Sequence, residues 1–201
     1  MRHVALATED ALSEAIGQRL VRDSAGQLSV ALLLRRHGFG YLKSKIRNFC
    51  ELARRMPVLL ITDLDNEQCP MTLIGAWSRH DVIPDQLIFR VAVRQIESWL
   101  LADREGLASF LKVIDQRLPG NPDDLTDAKQ FLLQLASRAP RQIRDELVAD
   151  PTAMAAQGLG YNALLSSFVR SRWNPSRAAR RSDSLARARS RLTELAMRSG
   201  S

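Results

Sequence analysis

The sequence predicts an α/β protein: an open, mostly parallel four-stranded sheet flanked by helices, with a helical C-terminal extension. Three observations predict it. Short apolar runs alternate with helix-periodic stretches from residue 2 to residue 111. The run at 57–62 is apolar at nearly every position, as a parallel strand covered on both faces requires. Beyond Pro119 strand signals stop and only helical ones follow. Strands that alternate with helices favour parallel pairing through crossovers.

The elements follow in order. Residues 3–7 form a short apolar run, read as the first strand. Residues 10–22 place Ala11, Leu12, Ala15, Ile16 and Leu20 at helical spacing. A Ser- and Gly-containing turn at 23–27 leads to a second strand at 28–34. The segment His37-Gly38-Phe39-Gly40 is a loop. Residues 41–55 put Leu42, Ile46, Phe49, Cys50 and Ala53 on one face of a single helix. The third strand is 57–62, a helix follows at 70–79, and the fourth strand is 86–93. Residues 95–110 read as one helix or two. The cluster Pro119-Gly120-Asn121-Pro122 breaks the pattern. Helices then follow at 126–137, 141–147, 162–172 and 175–197, the last with Asn174 as N-cap and Pro175 at its first position. The expected organisation is an α/β domain at 1–118 and a helical extension at 119–201, packed on it and basic at its end.

Composition bounds the function. The chain has 201 residues, 45% hydrophobic and 25% charged, enough for one domain with a buried core. The longest apolar runs, near 30–34 and 58–61, fall far short of the ~18 residues a bilayer span needs. The N-terminal residues lack the pattern of a secretory leader. Two cysteines, Cys50 and Cys69, lack metal-motif spacing and read as reduced thiols, so a cytoplasmic location is expected. Net charge is +7, and all of it resides in residues 170–201, which hold nine arginines against Asp183 and Glu194. A positive stripe there, including Arg177, Arg180, Arg181 and Arg187, reads either as a nucleic-acid footprint or as a solvated face that docks on an acidic partner.

Open α/β sheets bind ligands beyond the carboxyl ends of their strands. Glu9 and Asp10 follow the first strand. Arg35, Arg36 and His37 follow the second, with Lys43 opening the next helix. Asp63 and Asp65 follow the third, and Arg94 and Glu97 the fourth. Asp-x-Asp at the end of an apolar strand, with Glu9 on a neighbouring strand, is a donor set suited to Mg2+ or Mn2+. Such ions assist phosphodiester cleavage. Arg35, Arg36 and Lys43 would hold phosphate oxygens beside them. Plainer roles stand next to these. Asp63 and Asp65 also suit a turn, Glu9 and Glu97 a first helical turn, and Lys43 a solvated position. Trp77, Trp99 and Trp173 suit core or interface packing.

The segments VALATED (4–10) and LLITDLDN (59–66) resemble the Toprim family, the catalytic module of topoisomerases, primases and overcoming-lysogenization-defect type nucleases. With RRHGFGYLKSKI (35–46) and FRVAVRQIESWLLADRE (89–105), the chain is most similar to small stand-alone Toprim-like proteins, often found beside ATPases and suspected of defence against foreign DNA. The resemblance implies a Toprim-like sheet and a metal site of Glu9, Asp63 and Asp65. It also implies that Glu97 joins the acidic site and that Asp127 and Lys129 match a helical Asp-x-Lys element. Where the family has Gly after its glutamate, this chain has Asp10. Asn66 and Glu67 follow the Asp-x-Asp.

Topoisomerase and primase chemistry need further domains, so hydrolysis of nucleic acid is the Toprim reaction expected. Glu9, Asp63, Asp65, Glu97 and Lys43 are its candidate catalytic residues. Two alternatives stand beside it. One is a non-catalytic nucleic-acid-binding or ATPase-associated regulatory subunit. The other is a haloacid-dehalogenase-type phosphatase, whose Asp-x-Asp follows the first strand rather than the third and carries Thr or Val where Glu67 stands.

Overall fold

A computed structural model describes residues 1–24, 26–35, 40–79, 81–150 and 152–198. Four strands, β1 (Arg2–Thr8), β2 (Leu28–Arg35), β3 (Val58–Asp63) and β4 (Leu87–Ala92), form one open sheet of order β2-β1-β3-β4. Every pairing is parallel. The protein is thus the α/β sheet that the alternation predicts, and its arrangement is consistent with a Toprim-like fold. Parallel pairing needs a crossover after each strand. These are supplied by α1 (Ala11–Arg22), by α2 (Tyr41–Ser44) with α3 (Ile46–Ala53), and by α4 (Pro70–Ser78).

Side-chain alternation along the strands divides the interior in two. Leu6, Leu59 and Ile61 pack with α1 on one face, in a core that Ile88 shares. Ala5, Ala7, Leu60 and Phe89 meet Leu42, Phe49 and Leu73 of α2–α4 on the other. α1 lies close against its face because Gly17 has no side chain; a Cβ there would stand 2.5 Å from Leu6 Cδ1.

The extension shares the first of these cores. It comprises α7 (Ala128–Ala136), α8 (Arg141–Leu147), α9 (Tyr161–Ser171), α10 (Pro175–Ala178) and α11 (Asp183–Met197), reached through α5 (Glu97–Ala102) and α6 (Arg104–Leu111). Leu132, Phe168, Trp173 and Leu185 pack in the same cluster as Leu6 and Ile61. Trp173 Nε1 donates to the Trp99 carbonyl at 3.1 Å, and Trp99 Nε1 donates to Ser184 Oγ at 2.8 Å. Trp99 and Trp173 are therefore core residues whose polar edges are satisfied.

Two helices expected to be continuous are broken. Residues 41–55 divide at Lys45, whose φ of −104° and ψ of 6° lie outside the helical well. Residues 175–197 divide between α10 and α11, where Ser182 caps α11 and Asp123 accepts from Ser182 Oγ and Ser184 N. The second break comes from capping bonds that outweigh continuous apolar periodicity. The 95–110 segment resolves as two helices. Asp103 separates them and caps α6 by accepting from Gly106 N. Among the described residues, no helix is long and apolar enough to cross a membrane.

Candidate active site

β1 and β3 are neighbours, with Ala7 opposite Leu60. Two residues further on, that register sets Glu9 beside Thr62, and Thr62 Oγ1 donates to Glu9 Oε1 at 3.2 Å. Adjacent strands lie about 4.8 Å apart. Sheet topology thus brings two carboxylate motifs more than fifty residues apart to one crest.

Asp63 ends β3, and its Oδ1 accepts from Ile96 N at 2.8 Å. Beyond it the chain leaves the extended conformation. Leu64 N donates to the Ala92 and Arg94 carbonyls, and Asp65 N to the Arg94 carbonyl, each at 2.9 Å. The Arg94 guanidinium returns to the Asp65 and Glu67 carbonyls at 3.2 and 2.7 Å. Asp65 has φ 49°, in the left-handed region that Asp tolerates better than most residues. This pinned turn is why both carboxylates of an Asp-x-Asp reach the same opening.

That opening is a cleft of about 690 Å³. Glu9, Asp63, Asp65 and Glu67 line it, with Lys43 and Arg94 as its cations and Asp127 at its edge. Burial, above all, pushes the Asp63 carboxyl well above the usual range, with repulsion from Glu97, Asp65, Asp10 and Glu9 adding to it. Burial also raises Glu9; the Thr62 hydrogen bond partly offsets this, while Asp65 and Asp10 add repulsion. Asp65 is raised by burial. The crest is therefore a place where negative charge is disfavoured until something positive arrives. The donors are hard oxygens, which suits a divalent cation. In their present rotamers, among the described residues, no three His, Cys, Asp or Glu side chains are grouped as a ready ligand set.

Glu97 lies behind this wall, only 5% exposed. The Tyr161 hydroxyl donates to its Oε1 at 2.7 Å. Burial raises Glu97, against the Tyr161 bond and the Lys129 charge, and burial pushes Tyr161 up as well. Lys129 Nζ stands 5.3 Å from the Tyr161 ring centre, and its backbone N donates to Gln95 Oε1 at 2.9 Å. Asp127 caps α7, accepting from Gln130 N at 2.8 Å. Asp10 caps α1, accepting from Ser13 N at 2.7 Å, so this residue has a structural task.

The sequence-predicted residues thus separate. Glu9, Asp63, Asp65 and Lys43 share the cleft. Arg35 turns to α1 and pairs with Glu14 at 3.3 Å. Arg36 and His37 lie outside the described residues. Arg177 is bound to Asp103 and to Glu105. Arg187 is on α11, and Arg180 and Arg181 precede it. α11 packs with the α1 side of the sheet, whereas Lys43 approaches from the other side. Cys50 and Cys69 are both free thiols.

Sequence reasoning missed Thr62 and Tyr161, the hydroxyls that hold Glu9 and Glu97. Thr62 precedes Asp63 directly and carried a weak signal. Tyr161 is 64 residues from its partner and carried none. Comparison of the chain with known protein families, curated proteins and solved structures finds no match.

Proposed function

We propose that the protein is a divalent-metal-dependent nuclease of Toprim-like kind, hydrolysing phosphodiester bonds in DNA or RNA. One observation carries this reading: Glu9, Asp63 and Asp65, from neighbouring strands, converge on one open cleft where burial and mutual repulsion oppose their ionisation. Carboxyls in that situation gain most from Mg2+ or Mn2+, which take oxygen ligands.

When bound, the cation supplies Lewis acidity and a lowered pKa for water. Glu9, Asp63 and Asp65 are the residues that hold it. Thr62 orients Glu9, and the Ile96 amide orients Asp63. Lys43, on the same cleft, offsets negative charge that accumulates on the phosphate during cleavage. Glu97 is a positioning residue. Held by Tyr161, it acts on substrate only through Asp63, whose carboxyl feels its charge.

The test combines cleavage with metal binding. A labelled oligonucleotide is cut with Mn2+, and EDTA or Asp63→Ala abolishes the cut. Independently, Mn2+ raises the melting temperature of the wild type and leaves that of Asp63→Ala unchanged. Equal cleavage by wild type and Asp63→Ala removes the assigned site. Stabilisation by Mn2+ without cleavage of any nucleic acid turns the reading to a non-catalytic subunit that binds nucleic acid or an ATPase.

A further inference from the structure

A second groove, about 740 Å³, lies between α3 and α4. It shares Gly40, Lys43 and Trp77 with the acidic cleft, so the two adjoin at those residues. Its charge is opposite to that of the crest. Lys43, Arg47 and Arg79 line it, all exposed and, among the described residues, none with an acidic partner. Of its two acids, Glu51 is paired with Arg54 at 3.1 Å, which leaves Asp81 to set against those three cations. Trp77 sits where the two grooves meet. Its ring packs on Phe89 with centroids 5.4 Å apart, which fixes the indole, and it remains partly exposed.

We infer that this groove carries a single strand of nucleic acid into the acidic crest, with Lys43, Arg47 and Arg79 on its phosphates and a base stacked on Trp77. Single-strand sites combine a positive groove that follows the backbone with aromatic platforms for unstacked bases. A base inside a duplex is already stacked and cannot reach Trp77.

The arginine-rich α11 is the rival track, and it fits less well. It packs on the opposite face of the sheet. Its Arg189 and Arg191 are held by Asp23 and Glu194, and Arg177 just before it by Asp103. The inference names the substrate class of the proposed nuclease and rests on that reading for its meaning, but binding tests it without cleavage.

The full chain is titrated with fluorescein-labelled dT12, rU12 and a twelve-pair duplex in EDTA. The expected result is single-strand binding at least about tenfold tighter than duplex binding. Arg47→Ala/Arg79→Ala weakens it about tenfold or more. The same variant lowers the salt slope by about 1.4, at about 0.7 for each phosphate that is no longer neutralised. Arg180→Ala/Arg187→Ala changes binding less than about twofold. Unlabelled dT12 quenches tryptophan emission, because Trp99 and Trp173 are wholly buried and Trp77 alone of the three is accessible. Preference for duplex, loss of binding in the Arg180→Ala/Arg187→Ala variant alone, or absence of quenching overturns the groove. Mn2+-dependent cleavage that persists in that event leaves the nuclease reading intact. Groove binding without cleavage under any metal has the reverse meaning.

Discussion

Asp103 and Asp63 are two carboxylates at element ends in the same scaffold, and their surroundings differ in kind. Asp103 is completely buried, yet every oxygen is used: it accepts from Asn174 N at 2.8 Å, from Gly106 N, and from the Arg177 side chain. Asp63 borders an open cleft and accepts one backbone N–H, from Ile96. Around it stand Glu97, Asp65, Asp10 and Glu9, all of like charge. The first carboxylate ties the extension to the sheet domain. The second is held where ionisation is opposed, an arrangement that costs stability and is the basis of the cation site proposed above. Burial alone does not identify a functional acid; the sign of its neighbours does.

Neutralising Asp63 puts this contrast under the greatest strain. Asp63→Asn keeps an acceptor for Ile96 N, so the fold should persist while Mn2+-dependent cleavage falls about a thousandfold, or about 4 kcal/mol. Rates for the purified variant and wild type on one oligonucleotide measure it.

Asp103→Ala acts on stability instead. It leaves Arg177 and two backbone N–H groups without their partner, for an expected loss of about 3 kcal/mol in urea denaturation. A loss below about 1 kcal/mol would make Asp103 incidental.

The two sites should also differ in sign. In EDTA at neutral pH, Asp63→Asn should raise the melting temperature by about 2–4 °C, equivalent to about 1 kcal/mol for a chain of this length. A lowered melting temperature would mean that the Asp63 charge is already compensated within the fold.

The smallest effect is in pH dependence. Glu9, Asp63, Asp65 and Glu97 all have folded pKa values raised above their unfolded ones. The folded state therefore binds more protons than the unfolded state between those two limits. The contribution of these groups is fully present below their unfolded pKa, near pH 4, and is lost as pH rises through the folded values. Metal-free wild type should lose stability over that rise, and Asp63→Asn should lose less. Urea midpoints from pH 5 to pH 8 read the slope, and a flat wild-type profile contradicts the crest electrostatics.

Much of the crest was legible because strand ends are legible. Glu9 follows an apolar run, and Asp63 with Asp65 follows the most apolar run in the chain, so their shared edge follows once the strands are parallel. Lys43 was legible for the same reason, at the helix after β2. The surroundings of the arginines were less legible. Nine in the last 32 residues look like one stripe, but charge density in sequence says nothing of which face a helix presents or which acids it meets. Arg177 and Arg189 find Asp103 and Asp23, far off in the chain. Arg47 and Arg79 are 32 residues apart and never looked like a pair, yet they line one groove.

The class of fold and the acids at the strand ends come from the order of residues without help from packing. Apolar periodicity and strand termination are local, and a parallel sheet leaves its carboxyl ends on one edge. Which groups meet was left to contacts in three dimensions: Thr62 with Glu9, Tyr161 with Glu97, Asp103 with Arg177, and the basic groove with the acidic crest. Those pairings depend on side-chain direction and on contacts between distant elements. Packing selects them, and the one-dimensional pattern does not encode them separately.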